Sequence, residues 1–172
     1  MHIDYSILIA FGGVAKKLKR VLISLKEEET PKFYYQILQG EVKIFTSNKN
    51  GKELIQGIYK AGQSFGEPSL LLDKPYLSSA QATQSCVLVS LRKEKFLEII
   101  KEYPEICTKM IYTLAERMYD YAAHAQILVS HTPEEKIYQF LNKHKKTFHK
   151  NTMAEIAIPY PEQQIADITA CE

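Results

Sequence analysis

Glycine is the first scarcity in these 172 residues: there are seven, and all lie at or before Gly66 (positions 12, 13, 40, 51, 57, 62 and 66). Glycine serves turns and weakens helices. Its absence from the last 106 residues therefore predicts a turn-rich first half and a helical second half. Cysteine is nearly missing as well. Cys86, Cys107 and Cys171 are far apart and odd in number, which excludes the closely spaced thiolates of a zinc site or an iron–sulfur cluster. They read as small buried hydrophobes. Long apolar runs are lacking: Ile7-Leu8-Ile9-Ala10-Phe11-Gly12-Gly13-Val14-Ala15 is too short to span a bilayer. Asp4 precedes that run, and Lys16, Lys17, Lys19 and Arg20 follow it, the reverse of a signal peptide. A cytoplasmic protein with no membrane partner is expected. An excess of one charge is lacking too. Lys plus Arg number 22 against 20 for Asp plus Glu, so any nucleic-acid contact must come from a local surface.

What is present is ordinary globular material, 45% hydrophobic and 24% charged. That balance excludes a disordered tail, a collagen-like repeat and a disulfide-stapled miniprotein. The length suits one domain, or a domain plus a fragment.

Along the chain, the first fifteen or so residues suit a short helix that breaks around Gly12-Gly13. From Leu18 to Leu91 the pattern becomes short β-type runs between turn signals. The runs are Val21-Leu22-Ile23-Ser24-Leu25, Phe33-Tyr34-Tyr35-Gln36-Ile37-Leu38, Glu41-Val42-Lys43-Ile44-Phe45-Thr46 and Glu53-Leu54-Ile55-Gln56-Gly57-Ile58-Tyr59, and the series closes over Ala80 to Leu91. Asn48-Lys49-Asn50-Gly51 is a hairpin turn between two of them. Several short strands at this spacing predict a β-sandwich or roll.

The helical half begins near Arg92-Lys93-Glu94-Lys95-Phe96-Leu97, and Pro104 suits the first turn of a long helix. There Cys107, Ile111, Leu114, Met118, Tyr121, Ala125 and Leu128 recur at alternating spacings of four and three. That is a three-heptad apolar seam, and it predicts a homodimer formed along this helix. A second set (Ile106, Met110, Ala115, Ala122) lies beside the seam and suits packing on the same chain. Thr132-Pro133-Glu134-Glu135 is a helix start, with Thr132 as cap and Glu135 three residues after it. That helix ends in the basic run Lys143-His144-Lys145-Lys146. Ala154-Glu155-Ile156-Ala157-Ile158 alternates like a short strand, and Pro161 opens a final helix over Glu162-Gln163-Gln164-Ile165-Ala166-Asp167-Ile168.

The segment richest in chemistry runs from Lys60 to Ala80. A strand ends at Gly62 and Gly66, which permit close backbone approach. Pro68 then starts a short helix whose free N–H groups suit an anion. Glu67 is placed to accept hydrogen bonds from a sugar diol. This segment, Phe65-Gly66-Glu67-Pro68 through Tyr76-Leu77-Ser78-Ser79-Ala80, resembles the phosphate-binding cassette of cyclic-nucleotide-binding domains. Phe33 to Phe45 resembles the strand pair of the same domains. The heptad helix is similar to their dimerisation helix, and Ile158 to Thr169 resembles the opening of a helix-turn-helix. In this order the set resembles the Crp/Fnr family of bacterial transcription regulators.

The resemblance implies an α+β chain in three parts. Residues 1–103 form a double-stranded β-helix (jelly-roll) effector domain, 104–130 the dimerisation helix, and 131–172 the start of a winged helix-turn-helix whose recognition helix is missing. It implies a transcription regulator that is not an enzyme, with DNA, a second copy of the chain and RNA polymerase as partners. No metal and no cofactor are implied, and the small-molecule effector is not named. The effector pocket falls on Phe65, Gly66, Glu67, Pro68, Tyr76, Leu77, Ser78 and Ser79, with Tyr121 and Ala122 from the helix. The DNA-binding part starts at Gln163, Gln164, Ile165 and Ala166. One departure stands out. Tyr76 occupies the place where nucleotide-binding members carry the arginine that pairs with the cyclic phosphate, and a neutral hydroxyl cannot do what a bidentate cation does. The expected protein is thus a regulator that does not bind cyclic AMP in the usual way. The alternatives are a stand-alone effector or interaction module without DNA binding, and a true cyclic-nucleotide-responsive regulator. A cupin-type enzyme would need histidines on the strands, and there are none. His124 and His131 lie about 10 Å apart along a helix, too far for one metal.

Overall fold

The computed structural model describes residues 2–19, 23, 28–129, 132–143 and 161–171. In chain order the elements are α1 (Tyr5–Ala10), β1 (Val14–Leu18), β2 (Phe33–Gln39), β3 (Glu41–Ser47), β4 (Glu53–Lys60), β5 (Ser64–Phe65), α2 (Glu67–Leu72), β6 (Ser79–Ala82), β7 (Cys86–Arg92), α3 (Lys93–Glu102), α4 (Pro104–Val129), α5 (Pro133–Lys143) and α6 (Glu162–Thr169). The strands precede the long helices, as the glycine distribution requires. They make a four-stranded sheet in the order β1-β7-β2-β5 and a three-stranded sheet in the order β4-β3-β6. The pairs β1–β7, β2–β7, β2–β5 and β3–β6 are antiparallel. This is an α+β chain whose two sheets form the expected jelly-roll.

The chain forms two compact units, residues 1–46 with 55–117 and residues 47–54 with 118–172. In the first, Tyr35, Ile37, Val42, Ile44, Ala80, Ala82 and Leu88 enclose a core between the two sheets. A second core lies on the outer face of the larger sheet, where Tyr34, Val89 and Leu91 meet Leu8, Phe96, Ile99, Ile106 and Met110 of the helices. Both faces of β2 are thus covered. That is why its run Tyr34-Tyr35-Gln36-Ile37 is continuously buried rather than alternating. Tyr34 stacks on Phe96 with ring centroids 4.3 Å apart, a contact worth about 1 kcal/mol beyond its buried area. Gln36 is polar and fully buried, yet it is satisfied: its Oε1 accepts from the Ile3 N–H at 2.9 Å and its Nε2 donates to the Ile3 carbonyl at 2.8 Å.

Gly40, between β2 and β3, has φ +90°, and a Cβ there would stand 2.6 Å from the Cys86 Cβ. No other residue fits that turn. In the second unit, Asn48 closes the hairpin tip, its Oδ1 accepting from the Asn50 and Lys52 N–H groups. There α5 packs against α6, and the His124 ring meets the Ile168 carbonyl at 2.6 Å. The Thr132 hydroxyl caps α5 by accepting from the Glu135 N–H, as Thr-Pro-Glu-Glu predicted.

Two expectations change. The first helix is shorter than expected, ending at Ala10, and a strand, β1, already occupies Val14–Leu18. Its lysines disguised it, because Lys16 and Lys17 sit on an edge strand where charge is tolerated. The run Ala80 to Leu91 is two strands rather than one, broken at residues 83–85. The predicted strands at residues 21–25 and 154–158, the basic end at 144–146 and His131 fall outside the described residues, apart from Ile23, which is buried.

Candidate effector site

The cassette starts where β5 delivers Phe65 into the roll core. Gly66 then takes the left-handed conformation, φ +82°, at the N-cap of α2, with Glu67 and Pro68 in the first turn. That turn points the Glu67 side chain inward, where it is only 1% exposed. A carboxylate so buried needs partners, and it has two. The Ser64 hydroxyl donates to Oε1, and Arg117 Nη1 donates to Oε2 at 3.0 Å. The guanidinium also donates from Nη2 to the Ser64 carbonyl at 2.6 Å and lies 4.7 Å from the centre of the Tyr59 ring. The carboxylate expected to accept from a ligand diol is thus already engaged by the chain's own arginine.

Arg117 is the residue that sequence reasoning missed. It lies fifty positions from Glu67 in the chain, among exposed charges, and reads as a solvated side chain. A signal was nevertheless present. Ile106, Met110, Thr113 and Arg117 recur at spacings of four, three and four, so Arg117 continues the buried face of α4. A cation on a buried helical face calls for a carboxylate.

The other end of the cassette carries no such charge. Tyr76 is 4% exposed and belongs to the roll core with Tyr35 and Phe65. Its backbone pairs with the stretch before β2, the Glu28 N–H donating to its carbonyl and its own N–H to the Glu29 carbonyl. Burial foremost, then the neighbouring Tyr35, Glu29 and Glu67, hold its phenol protonated well above the ordinary tyrosine range. The side chain is a neutral core element. Leu77 beside it projects outward, Ser78 is buried with its hydroxyl donating to Gln56 Oε1 at 2.7 Å, and Ser79 opens β6.

Tyr121 and Ala122 lie in the second unit, both exposed on α4. Of the seam residues, Ile111 is 63% exposed and Met118 71%. Tyr121 and Ala125 are exposed as well, while Cys107, Leu114 and Leu128 are half-buried. From the second set, Ile106 and Met110 are buried in the outer core, whereas Ala115 and Ala122 are exposed. On α6, Gln163 is exposed and donates to Asp167 Oδ1 at 3.1 Å, while Gln164, Ile165 and Ala166 are half-buried. No helix among the described residues is long and apolar enough to cross a membrane.

Comparison with known proteins agrees with this fold. The family described as "Cyclic nucleotide-binding domain" matches residues 16–103. The chain is 30% identical over 84 residues to the cyclic AMP receptor protein of Thermus thermophilus, 49% of this chain and 39% of that protein. It is 30% identical over 101 residues to the cAMP-activated global transcriptional regulator CRP of Haemophilus influenzae, 58% of this chain and 44% of that one. The matched stretches thus span less than half the length of either relative. Among solved structures, the c-di-GMP responsive global regulator CLP of Xanthomonas campestris superposes with a TM-score of 0.79 at 17% identity, covering 98% of this chain and 86% of that one. With a family match over half its length, the chain belongs to the cyclic nucleotide-binding domain family.

Proposed function

We propose that this chain is the sensor and dimerisation part of a DNA-binding transcription regulator whose roll does not take a cyclic nucleotide in the usual way. The observation that carries the reading is the double character of α4. One face anchors it to the roll through Ile106, Met110 and Arg117. Beside that face an apolar row at heptad spacing, Ile111 and Met118 foremost, is left exposed. A helix so built rigidly couples a sensor to a second copy of itself. The relatives' names supply the output, transcription regulation, and α5 and α6 stand where the resemblance places the start of a DNA reader. A ligand acts in such a dimer by favouring one arrangement of the paired helices.

The cassette argues against cyclic nucleotides. The family's route uses a cation at position 76, where this chain has Tyr76, and the carboxylate at position 67, which here already accepts from Ser64 and Arg117. A calorimetric titration with cyclic AMP and cyclic GMP is expected to show no binding, and micromolar affinity for either would overturn this part of the reading. Changing Ile111 and Met118 together to Lys is expected to give monomers on a sizing column without loss of the fold, since both side chains are exposed. An unchanged dimer would remove the seam from the interface. For DNA, in vitro selection with the full gene product is expected to return a palindrome with half-sites about one helical turn apart. Recovery of no enriched site would favour an interaction module that does not read DNA.

A further inference from the structure

The larger sheet carries a cavity that is lined by neither Glu67 nor Arg117. It has a volume of about 630 Å³ and opens between β1, β7 and the start of α3. Volumes of about 300–1,000 Å³ suit small-molecule ligands. Strand register explains its walls. Tyr35 and Val14 both lie opposite Ser90, Phe33 opposite Arg92, and Lys16 opposite Leu88. Side chains alternate across a sheet, so these residues share one face, and all of them line the cavity. The floor is aromatic and aliphatic.

The charges on the rim have one sign. Lys16, Arg92 and Lys95 line the cavity, and no aspartate or glutamate among the described residues does. Lys95 is already paired with Glu98, its Nζ 2.7 Å from Oε2. Lys16 and Arg92 have no ion-pair partner among the described residues. Arg92 is also the N-cap residue of the ten-residue helix α3, and its side chain makes no capping hydrogen bond. Among the described residues its guanidinium has no partner, and the helix start adds its own partial positive charge.

From this juxtaposition of an apolar floor with unpaired cations, we propose that the cavity binds an amphipathic organic anion, a carboxylate on a flat or extended hydrocarbon body. The carboxylate engages Arg92, whose planar fork matches it. The body lies over Leu88, Tyr35 and Phe33, and Lys16 strengthens the positive field from the edge strand. Neither Glu67 nor Arg117 lines the cavity, although its floor residue Tyr35 stacks on Phe65 of the cassette with ring centroids 5.6 Å apart.

Decanoate below its micellar concentration and 2-naphthoate serve as probes, with decanol and decyltrimethylammonium as uncharged and cationic controls, all titrated calorimetrically into the 172-residue protein. At least one carboxylate is expected to bind saturably at one site per chain. The two controls are expected to bind about tenfold more weakly or worse, the loss that follows from removing a charge-assisted hydrogen bond. Arg92→Gln, which puts a neutral polar side chain at an exposed position, is expected to weaken the carboxylate by about tenfold with an unchanged circular dichroism spectrum, and Lys16→Ala by less. In amide NMR spectra the shifts are expected to centre on Val14, Leu88 and Ser90. The proposal is overturned if neither carboxylate saturates, if decanol binds as tightly as decanoate, if Arg92→Gln changes nothing, or if the shifts centre on residues 64–79 instead.

Discussion

The two ends of the cassette solve the same problem in opposite ways. Both carry a polar side chain into the interior of the roll. At the first end the group is charged, and the fold answers with a charged partner: Glu67 meets Arg117, and Ser64 completes the pair. At the second end the group is the neutral phenol of Tyr76, and the fold answers with aromatic packing, Tyr35 and Phe65 beside it in the core. One end has kept the charge that ligand recognition would use and turned it inward. The other has lost the charge. In this chain both polar groups make their contacts inside the protein.

That contrast predicts unequal consequences. Glu67→Ala or Arg117→Ala alone leaves a buried charge without its partner and is expected to cost about 3 kcal/mol in urea unfolding. The double variant is expected to cost less than the sum of the two. If the single changes are nearly neutral, the pair is a surface contact and the two ends do not differ.

The alkaline limb comes next in size. Burial, with the Glu67 charge second, raises the phenol of Tyr34, and burial raises those of Tyr35 and Tyr76. An acid whose folded pKa lies above its unfolded value stabilises the fold below the unfolded value and loses that contribution as pH rises. Unfolding midpoints are expected to stay level from pH 7 to 9 with respect to these groups. Above pH 10, where unfolded tyrosine ionises, they fall, with Tyr34 contributing up to about 1.4 kcal/mol per pH unit. A midpoint unchanged at pH 11 would show that the core phenols ionise as freely as exposed ones.

The smallest effect belongs to the neutral end. Tyr76→Phe keeps the ring and removes only the hydroxyl, so it is expected to change stability by less than about 0.5 kcal/mol and to leave the calorimetric response to cyclic nucleotides unchanged. A loss of more than about 1 kcal/mol would mean that the hydroxyl has a structural partner of its own.

Much of the architecture was legible because it rests on local rules. Gly40, the Asn48 hairpin and the Thr132 cap each mark a boundary through the backbone conformation or hydrogen bond that only those residues supply. The β2 run was read correctly as a strand, although nothing local says that both of its faces are covered. The edge strand β1 was not legible, since a lysine pair on a solvent-facing strand carries no period-two signal. In the cassette, Glu67 and Tyr76 came from a resemblance, and Tyr76 was read as a neutral group, but their contacts within the chain were not legible. Glu67 was expected to face a ligand and faces Arg117 instead.

By itself the sequence determined the order of the strands after β1 and of the helices, the cassette's path and the heptad row of α4, because turn chemistry, caps and apolar periods are encoded over a few neighbouring residues. Only the tertiary structure decided which side chains meet. Arg117 reaches Glu67 across fifty positions of chain, and Lys16 joins Arg92 around one cavity through the pairing of β1 with β7. Those meetings depend on how sheets and helices pack, and burial then fixes their meaning: a charge that would be free in water must find its partner inside.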